Sequence, residues 1–335
     1  MEKQVKRIGV LTSGGDAPGM NAAVRAVVRT AISQGVECVG IRRGWNGLIN
    51  SDFIHMNASS VSHIINKGGT MLYTARSEEF MEPSGRAKAL STCKLLGLDG
   101  IVAIGGDGTF RGALALSRQA AESGQHLQVV GVPATIDNDI GCSHYTIGFD
   151  TACNTAVECI DKLRDTMQSH ERCSVVEVMG RHAGYLALYV GISVGATAVL
   201  IPERELDFDR DIVEKIRRAR LAGTTHYMIV VAEGVASAMD IAKRIHDEVG
   251  IDPRVTVLGH IQRGGSPSAR DRETASRMGY EAVKVLAESR GNRIVATQDG
   301  RIVDLDMEEA LQMTKSFNMD RYQVLEAMTN RKDIL

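Results

Sequence analysis

Short apolar runs rich in β-branched residues alternate along the chain with longer segments in which apolar residues recur at helical spacing. The short runs predict strands, and the longer segments predict helices. The predicted strands are Arg7 to Leu11, Val36 to Ile41, Gly100 to Ile104, Leu127 to Val132, Ser174 to Val178, Ala198 to Ile201, Tyr227 to Val231 and Arg254 to Leu258. The predicted helices are Gly19 to Gln34, Gly85 to Leu96, Thr109 to Glu122, Thr151 to His170, Arg210 to Leu221, Met239 to Val249, Arg270 to Glu288 and two more after Met307.

This alternation is typical of parallel sheets joined by crossover helices, and it assigns the chain to the α/β class. Ligands of such sheets collect where the strands end. Here each predicted strand is followed by glycine, proline or acidic residues. A length of 335 residues suggests two lobes, at roughly 150 residues per domain, although one large α/β unit would also fit.

Composition and charge exclude several classes of protein. The 39 basic and 41 acidic residues leave a net charge of −2, so no overall field would hold the chain on nucleic acid or on an anionic membrane. A hydrophobic share of 44% and a charged share of 24% are typical of a globular protein with a sizeable core, not of a disordered or collagen-like chain. The six cysteines form no CxxC pair and are expected to be reduced structural thiols. With no long apolar run and no signal-peptide core, we expect a cytoplasmic protein.

The first candidate loop runs from Thr12 to Asn21 and joins the first predicted strand to the first helix. Its glycines would let backbone N–H groups approach a phosphate at the helix N-terminus. The loop matches neither GxxxxGK[ST] nor GxGxxG, and a tight turn without a ligand is an equal alternative. On the helix that follows, Arg25 and Arg29 project away from the apolar side, which indicates either a solvated face or an anion site.

The second candidate loop runs from Ile104 to Thr109 and places Asp107 among three glycines. A carboxylate with bare backbone beside it suits a phosphate chain with its Mg²⁺. The alternative is an aspartate that caps the helix expected to begin near Thr109.

The third candidate loop runs from Pro133 to Ile140 and places Asp137 and Asp139 two residues apart. In extended backbone the two carboxylates would share one face. One would accept a proton from a substrate hydroxyl while the other helps to hold a metal ion, a division of roles that phosphoryl transfer requires. The alternative is an acidic turn without chemistry.

The chain resembles the bacterial 6-phosphofructokinase family in five motifs that follow the family's order, namely TSGGDAPGMNAAVR, GGDGT, TIDNDI, SVVEVMGR and LGHIQRGGSP. The GGDGT string alone also occurs in lipid and NAD kinases. The resemblance implies two doubly wound α/β/α lobes with mostly parallel sheets and an active site in the cleft between them. A nucleotide-binding lobe would span 1–148 plus 262–312, and a sugar-phosphate-binding lobe 149–261 plus 313–335.

The resemblance implies transfer of phosphate from ATP to the 1-hydroxyl of fructose 6-phosphate. Asp137 would be the general base, and Thr135 and Arg181 would stabilise the transferring phosphoryl group. Asp107 would hold Mg²⁺, with Asp139 as a second candidate ligand.

The remaining site residues follow from the same resemblance. ATP would be contacted by Gly14, Trp45, Arg76, Ser77, Gly106, Asp107, Gly108 and Thr109. Trp45 is expected either to stack on adenine or to be a partly buried surface ring. Fructose 6-phosphate would be held by Thr135, Asp137, Arg172, Met179, Gly180, Arg181, Glu233, Arg254, His260 and Arg263. Arg172 and Arg254 reach in from a neighbouring subunit in this family, so a homotetramer with shared active sites is implied.

Several positions depart from the family pattern. Pyrophosphate-dependent members commonly carry aspartate at the position of Gly108, where an acidic side chain would crowd and repel the α-phosphate of ATP, so Gly108 favours ATP. Ala134 stands where ATP-dependent members usually have glycine, and it is compatible with ATP. Ser77 and Met81 replace an aromatic residue and an arginine, so we expect weaker nucleotide binding, although Arg86 preserves a basic position.

The family's effector site binds ADP or phosphoenolpyruvate through basic residues, and Arg25, Arg29 and Arg164 match it. Three usual cations and one carboxylate are replaced by Asp52, Ala222, Thr224 and Thr197. Each lost charge-assisted bond removes about 1.5–3 kcal/mol, so we expect little effector control. The alternative is that Arg217 or Arg218 replaces the missing contacts.

Three other functions stay open: a pyrophosphate-dependent phosphofructokinase, a kinase for another sugar phosphate such as tagatose 6-phosphate, and a non-catalytic regulatory paralogue. The paralogue is disfavoured because Asp137, Arg181, Arg172 and Arg254 are all present. Neither nucleic acid nor a membrane is expected as a partner.

Overall fold

The computed structural model describes residues 5–317 and 319–329, which fall into two compact units. Unit 1 comprises residues 5–136, 140–151 and 263–315. Unit 2 comprises residues 137–139, 152–262, 316–317 and 319–329. The chain therefore passes between the units several times.

The strands, in chain order, are β1 (Arg7–Ser13), β2 (Glu37–Ile41), β3 (Phe53–Met56), β4 (Gly100–Gly105), β5 (Gln128–Pro133), β6 (Cys173–Val178), β7 (Ala198–Leu200), β8 (Tyr227–Ala232), β9 (Arg254–Val257), β10 (Arg293–Gln298) and β11 (Arg301–Asp306). The helices are α1 (Met20–Ser33), α2 (Gly44–Ile49), α3 (Pro83–Leu96), α4 (Asp107–Glu122), α5 (Phe149–Ser169), α6 (Tyr185–Ser193), α7 (Glu214–Leu221), α8 (Ala238–Val249), α9 (Ala269–Ala287), α10 (Met307–Gln312) and α11 (Met319–Thr329). Short 3₁₀ segments at Glu79–Met81 and Gly259–Arg263 and a π segment at Asp209–Val213 complete the described part.

Unit 1 is built on a seven-stranded sheet in the order β11-β10-β5-β4-β1-β2-β3. The strands from β10 to β2 run parallel, while β11 and β3 lie antiparallel at the two edges. The central strands β4 and β5 are buried along their whole length, as expected where helices cover both faces of a sheet. This places the carboxyl ends of β1, β4 and β5 beside one another.

Unit 2 is built on a four-stranded parallel sheet in the order β7-β8-β6-β9. Strand β8 is buried at every position, and β6 at every position except Glu177. Their apolar side chains pack with those of α7, α8 and the π segment into a separate core. The mixed α/β class and the mostly parallel sheets predicted from the sequence are confirmed.

The sequence patterns missed five elements: β3, β10, β11, α2 and α6. Helix α6 escaped because its residues are apolar on nearly every side, so it carries no amphipathic period. The β10–β11 hairpin turns through Asp299 and Gly300, both with positive φ (48° and 76°). An Asp-Gly pair between two apolar runs is a strong hairpin signal, and it was available in the sequence.

The six cysteines are free, as predicted, and all except Cys159 are buried. Burial raises the pKa of Cys38 and of Cys93 to about 12, so both stay protonated and unreactive at neutral pH. Among the described residues no helix is long and apolar enough to cross a membrane.

A buried carboxylate in unit 1 fixes the start of α5. Asp271, in the first turn of α9, is fully buried and accepts hydrogen bonds from Tyr145 Oη (2.5 Å), Gly148 N (2.7 Å) and both Thr151 N (2.9 Å) and Thr151 Oγ1 (2.5 Å). Burial raises the pKa of Asp271, and the hydrogen bonds from these neutral donors only partly oppose that effect.

A buried carboxylate in unit 2 has cations around it instead. Asp211 accepts hydrogen bonds from Arg204 Nη1 (2.6 Å), Arg210 Nε (2.9 Å) and the backbone N–H of Asp207 (3.0 Å). Burial would raise the pKa of Asp211, but the hydrogen bonds from Arg210 and Arg204 outweigh burial and lower it. Arg204 also donates to Tyr322 Oη (2.8 Å), which ties α11 to this cluster.

Candidate active site

The three candidate loops of the sequence begin at the same level of the unit 1 sheet. Ser13 at the end of β1 is paired with Gly105 at the end of β4, and Gly105 is paired with Pro133 at the end of β5. The loops that follow therefore leave three adjacent parallel strands side by side. This is the position at which doubly wound sheets bind ligands.

Hydrogen bonds join these loops to one another. Thr109 Oγ1 donates to the carbonyl of Ser13 (3.0 Å), and the N–H of Ala134 donates to the carbonyl of Gly105 (2.9 Å). Thr74 Oγ1 donates to the carbonyl of Gly14 (2.7 Å), whose φ of 88° is readily adopted by glycine. The loop backbone is held in place by these contacts.

Arg263 lies against the first loop. Its Nη1 donates to the carbonyl of Asp16 (3.0 Å), and a Cβ added to Gly15 would stand 2.7 Å from that nitrogen. A side chain at position 15 would therefore displace the guanidinium from this position. The structure places this predicted phosphate ligand in unit 1, partly buried.

Asp107 is the first residue of α4, and its carboxylate is exposed at the N-terminal end of the helix. The N-cap is Gly106, so the alternative that Asp107 caps the helix is wrong. The carboxylate instead accepts from Arg111 one turn later, with Nε 2.6 Å from Oδ2 and Nη2 3.3 Å from Oδ1. Arg111 was not among the site residues predicted from the sequence, although the four-residue spacing from an acid to an arginine is a signal for such a pair.

The residues at this loop fit Mg²⁺. Within the described ranges, no three His, Cys, Asp or Glu side chains converge on one point. Mg²⁺ is usually held by one or two carboxylates together with waters and substrate phosphates, so the exposed carboxylate of Asp107 suits it.

Two of the residues predicted to bind the nucleotide, Arg76 and Gly108, are exposed. A Cβ on Gly108 would meet no atom within 4 Å. Ser77 Oγ accepts from the N–H of Phe80 (3.3 Å). Space for a side chain is therefore open at position 108.

Trp45 is a core residue, so the alternative of a partly buried surface ring is wrong. Its exposed fraction is 5%, and its ring is stacked on Phe80 with centroids 4.7 Å apart and planes at 7°. A Cβ on Gly112 would stand 3.0 Å from Trp45 Nε1, and that buried nitrogen has no hydrogen-bond partner. Phe80 covers one face of the Trp45 indole, so only the opposite face and the edge of the indole could contact another group.

The third loop turns instead of running extended. Thr135 and Asp137 are half-buried and Asp139 is exposed, while the buried Asn138 between the two acids has a φ of 53°. The expectation that Asp137 and Asp139 share a face of extended backbone is wrong, because a left-handed residue between them breaks the two-residue alternation. Thr135 belongs to unit 1, and residues 137–139 are grouped with unit 2.

Predicted sugar-phosphate ligands gather at the carboxyl edge of the unit 2 sheet. Met179, Gly180 and Arg181 follow β6, and Glu233 follows the adjacent strand β8. The N–H of Glu233 donates to the carbonyl of Val178 (2.9 Å), and a Cβ on Gly234 would stand 1.8 Å from the carbonyl oxygen of Arg181. His260 follows β9, the neighbour of β6 on its other side, and is exposed.

Arg172 and Arg254 lie at the opposite, amino edge of the same sheet. Arg172 directly precedes β6, and Arg254 opens β9 opposite Ser174. About seven residues of extended chain, roughly 23 Å, separate Arg172 from Met179 at the other edge. Within one chain, these two arginines are therefore not brought together with Arg181 and Glu233.

The predicted effector residues are divided between the units. Arg25 is half-buried and Arg29 exposed on α1 of unit 1, and Arg164 on α5 of unit 2 donates to the carbonyl of Val194. A pocket of about 450 Å³ in unit 2 is lined by Arg164, Thr197, Lys215, Ala222, Thr224 and His226 among others. Lys215 is paired with Glu326 (2.5 Å), and Asp52 in unit 1 is paired with Arg42 and Arg43.

Comparison with known proteins gives these sites their context. The family model described as phosphofructokinase matches residues 7–286 of the chain. The chain belongs to the phosphofructokinase family. An ATP-dependent 6-phosphofructokinase of Clostridium botulinum is 50% identical over 320 residues, which cover 96% of this chain and 98% of that protein. One of Alkaliphilus metalliredigens is 51% identical over 325 residues, or 97% of this chain and 100% of that protein.

Solved phosphofructokinases share the fold. A phosphofructokinase structure from Saccharomyces cerevisiae superposes with a TM-score of 0.86 at 35% identity over 98% of this chain, which spans only 47% of that yeast chain. A pyrophosphate-dependent phosphofructokinase of Marinobacter aquaeolei superposes with a TM-score of 0.85 at 20% identity, over 97% of this chain and 92% of that one. The phosphofructokinase fold thus occurs with either phosphoryl donor, and the fold alone does not select ATP.

Proposed function

We propose that this chain is an ATP-dependent 6-phosphofructokinase, which transfers the γ-phosphoryl group of ATP to the 1-hydroxyl of fructose 6-phosphate. The observation that carries the proposal is half-identity, along almost the full length, to bacterial relatives of that name. Gly108 supports ATP as the donor, because it leaves the loop after β4 open where an aspartate would repel the α-phosphate.

On the donor side, unit 1 supplies the phosphate-binding groups. The N–H of Gly14 and the guanidinium of Arg76 bind the phosphates of ATP, and Gly106, Gly108 and Thr109 line the loop beside them. Asp107 would hold Mg²⁺, with Asp139 as a second candidate ligand. The metal ion supplies charge neutralisation to the triphosphate, where a loose transition state gains most from positioning and electrostatics.

On the acceptor side, the carboxylate of Asp137 accepts the proton of the 1-hydroxyl while that oxygen bonds to the γ-phosphorus and the bond to ADP breaks. Thr135 and Arg181 stabilise the charge on the transferring phosphoryl oxygens. Met179, Gly180 and Glu233 contact the sugar. His260 and Arg263 bind its 6-phosphate.

The position of Arg172 and Arg254 supports active sites shared between subunits of a homotetramer. The two arginines are diagonal neighbours across the β6–β9 pair, a spacing that suits a phosphate held by two guanidinium groups. They lie at the edge of the sheet opposite to Arg181 and Glu233. We infer that they bind the sugar phosphate of a neighbouring subunit.

Effector control is proposed to be weak. Near Thr197, Ala222 and Thr224 the unit 2 pocket lacks the usual charged ligands, and Lys215 is already paired with Glu326. Asp52 introduces a carboxylate that pairs with two arginines where a cation is usual. An effector that binds weakly shifts a conformational equilibrium little.

A donor and acceptor panel on the purified protein tests the proposal. We expect turnover with ATP and fructose 6-phosphate, little turnover with pyrophosphate or with tagatose 6-phosphate, and less than a tenfold change in half-saturation with ADP or phosphoenolpyruvate. Gly108→Asp should lower the rate with ATP far more than Gly108→Ala, which adds bulk without charge. Turnover with pyrophosphate and none with ATP would overturn the assignment, and binding without any turnover would favour the regulatory paralogue.

Mixed oligomers test the shared sites. Asp137→Ser should lower kcat about 10²–10⁴-fold with little change in sugar-phosphate binding. Arg254→Ala should mainly weaken binding of fructose 6-phosphate. If sites are shared, mixing the two impaired variants restores activity above that of either variant alone, because some sites then receive an intact Asp137 and an intact Arg254. Absence of recovery after verified subunit exchange would show that each site is built from one chain.

A further inference from the structure

Arg111 makes a contact that the proposed reaction has to break. Its guanidinium holds both carboxylate oxygens of Asp107, through Nε at 2.6 Å and Nη2 at 3.3 Å. Nη2 also lies 3.4 Å from the carbonyl oxygen of Leu311. These are the oxygens that the proposed function gives to Mg²⁺, and a guanidinium and a metal ion cannot share them at full strength.

Breaking the pair is inexpensive. The side chains of Arg111 and Asp107 are 60% and 50% exposed, and exposed ion pairs contribute little because water screens them. Glu158 and Lys162 form a pair of the same spacing in the interior of α5, and Glu214 and Arg218 form one at the start of α7, which follows the π segment. Among the ion pairs of the described residues, that of Asp107 alone combines this spacing with the first position of a helix that follows a glycine loop.

We propose that Arg111 is a nucleotide-binding residue that exchanges Asp107 for a phosphate oxygen of the magnesium nucleotide. This inference rests on the proposed function of the site. In the absence of nucleotide, Arg111 neutralises Asp107. When Asp107 holds Mg²⁺, the guanidinium is released beside the phosphates.

The geometry makes the exchange a short movement. Arg111 lies one turn after Asp107 on α4, and its guanidinium reaches back to the first turn, beside the loop proposed to bind the phosphates. Mg²⁺ held by Asp107 would bring the nucleotide phosphates next to this carboxylate, since Mg²⁺ is commonly bound by a carboxylate together with substrate phosphates. A rotation of the arginine side chain about its flexible stem would then move the guanidinium from the carboxylate to a neighbouring phosphate, and the guanidinium fork fits either group.

The exchange couples the metal to the nucleotide. Without metal, Arg111 must choose between the carboxylate and the phosphate, so metal-free nucleotide binds with one contact fewer. Metal alone must compete with Arg111 for Asp107. Each ligand thus improves the binding of the other, as reciprocal linkage requires.

Binding measurements without turnover test the proposal. The probes are Mn²⁺ alone, followed by electron paramagnetic resonance, and the non-hydrolysable analogue AMPPNP with Mg²⁺ or with EDTA. The nucleotide titrations are followed by fluorescence of Trp45, the single tryptophan, whose Nε1 faces Gly112 next to Arg111. The variants are Arg111→Gln and Arg111→Lys. Arg118→Gln serves as the matched control, since Arg118 lies two turns further along α4 and pairs with Glu308.

In Arg111→Gln we expect Mn²⁺ alone to bind about threefold more tightly and Mg·AMPPNP about tenfold more weakly, while Arg111→Lys is intermediate and Arg118→Gln matches the wild type. An affinity for Mn²⁺ that rises while the affinity for Mg·AMPPNP falls would not arise if Arg111 had a merely structural role. The inference is overturned if both affinities of Arg111→Gln stay within twofold of wild type, or if both fall together. If wild-type protein does not bind Mg·AMPPNP at all, the proposed function fails instead.

Discussion

Asp107 and Asp271 occupy equivalent places in two helices of unit 1, yet their surroundings are opposite. Each lies in the first turn of a helix, α4 or α9, that follows a glycine-rich loop. Asp107 is exposed and paired with one arginine, whereas Asp271 is fully buried among neutral donors. An exposed acid can exchange its partner for a ligand. A buried acid with four donors ties the start of α9 to residues 145–151 at the start of α5 and has no room for a ligand.

The largest effect should come from removing the exposed carboxylate. Asp107→Asn is expected to lower kcat/KM about 10²–10³-fold, because the amide binds Mg²⁺ poorly and leaves the triphosphate charge less neutralised. The free energy of unfolding should change by less than about 0.5 kcal/mol, since the lost pair is exposed. Steady-state kinetics and urea unfolding measure the two quantities. A nearly normal kcat/KM would remove Asp107 from the catalytic machinery.

The corresponding substitution at Asp271 should lower the stability of the protein strongly and its activity little. Asp271→Asn replaces one acceptor oxygen with an NH₂ group, so two of the four donors lose their partner, and the free energy of unfolding should fall by about 2–4 kcal/mol. Chemical denaturation checks this value, with Asp107→Asn as the matched control. The kcat of the folded fraction should remain within a few-fold of wild type. A loss of stability below about 1 kcal/mol would indicate that the network relaxes around the amide.

The smallest expected effect concerns the buried carboxylates Asp271 and Asp211, whose contributions to the free energy of unfolding should depend differently on pH. The pKa of Asp271 in the folded protein is raised above the ordinary 3.8. Its carboxyl group therefore adds fully to the free energy of unfolding below pH 3.8, and this contribution is lost as the pH rises through the folded-state pKa. The pKa of Asp211 is lowered below 3.8, so its contribution is complete above that pH and is lost as the pH falls through the folded-state pKa.

Unfolding measured from pH 3 to pH 7 distinguishes the two sites. The destabilisation caused by Asp271→Asn should shrink as the pH rises from about 4, and that caused by Asp211→Asn should shrink only as the pH falls below about 4, each by less than about 1.4 kcal/mol per pH unit. If the destabilisation of both variants changed with pH in the same way, neutral donors and cations would not differ in their effect on the pKa of a buried carboxyl group.

Local pattern determined much of this protein in advance. Alternating apolar runs and helical periods predicted the α/β class and the parallel strands, because the period of burial is written in neighbouring residues. Motif spacing also located the three loops that meet at the ends of β1, β4 and β5. The three loops share one edge because β1, β4 and β5 run parallel, and parallel strands all end at the same edge of their sheet.

Tertiary structure decided what neighbouring residues do not encode. The left-handed Asn138 separates Asp137 from Asp139, and the Phe80 ring occupies one face of Trp45. The resemblance already set Arg172 and Arg254 apart from the other phosphate ligands, and the register of β6 with β9 makes them diagonal neighbours at the amino edge of their sheet. Backbone conformation, burial and partner choice are set by residues distant along the chain, so the physical role of each side chain emerges only when those residues are packed together.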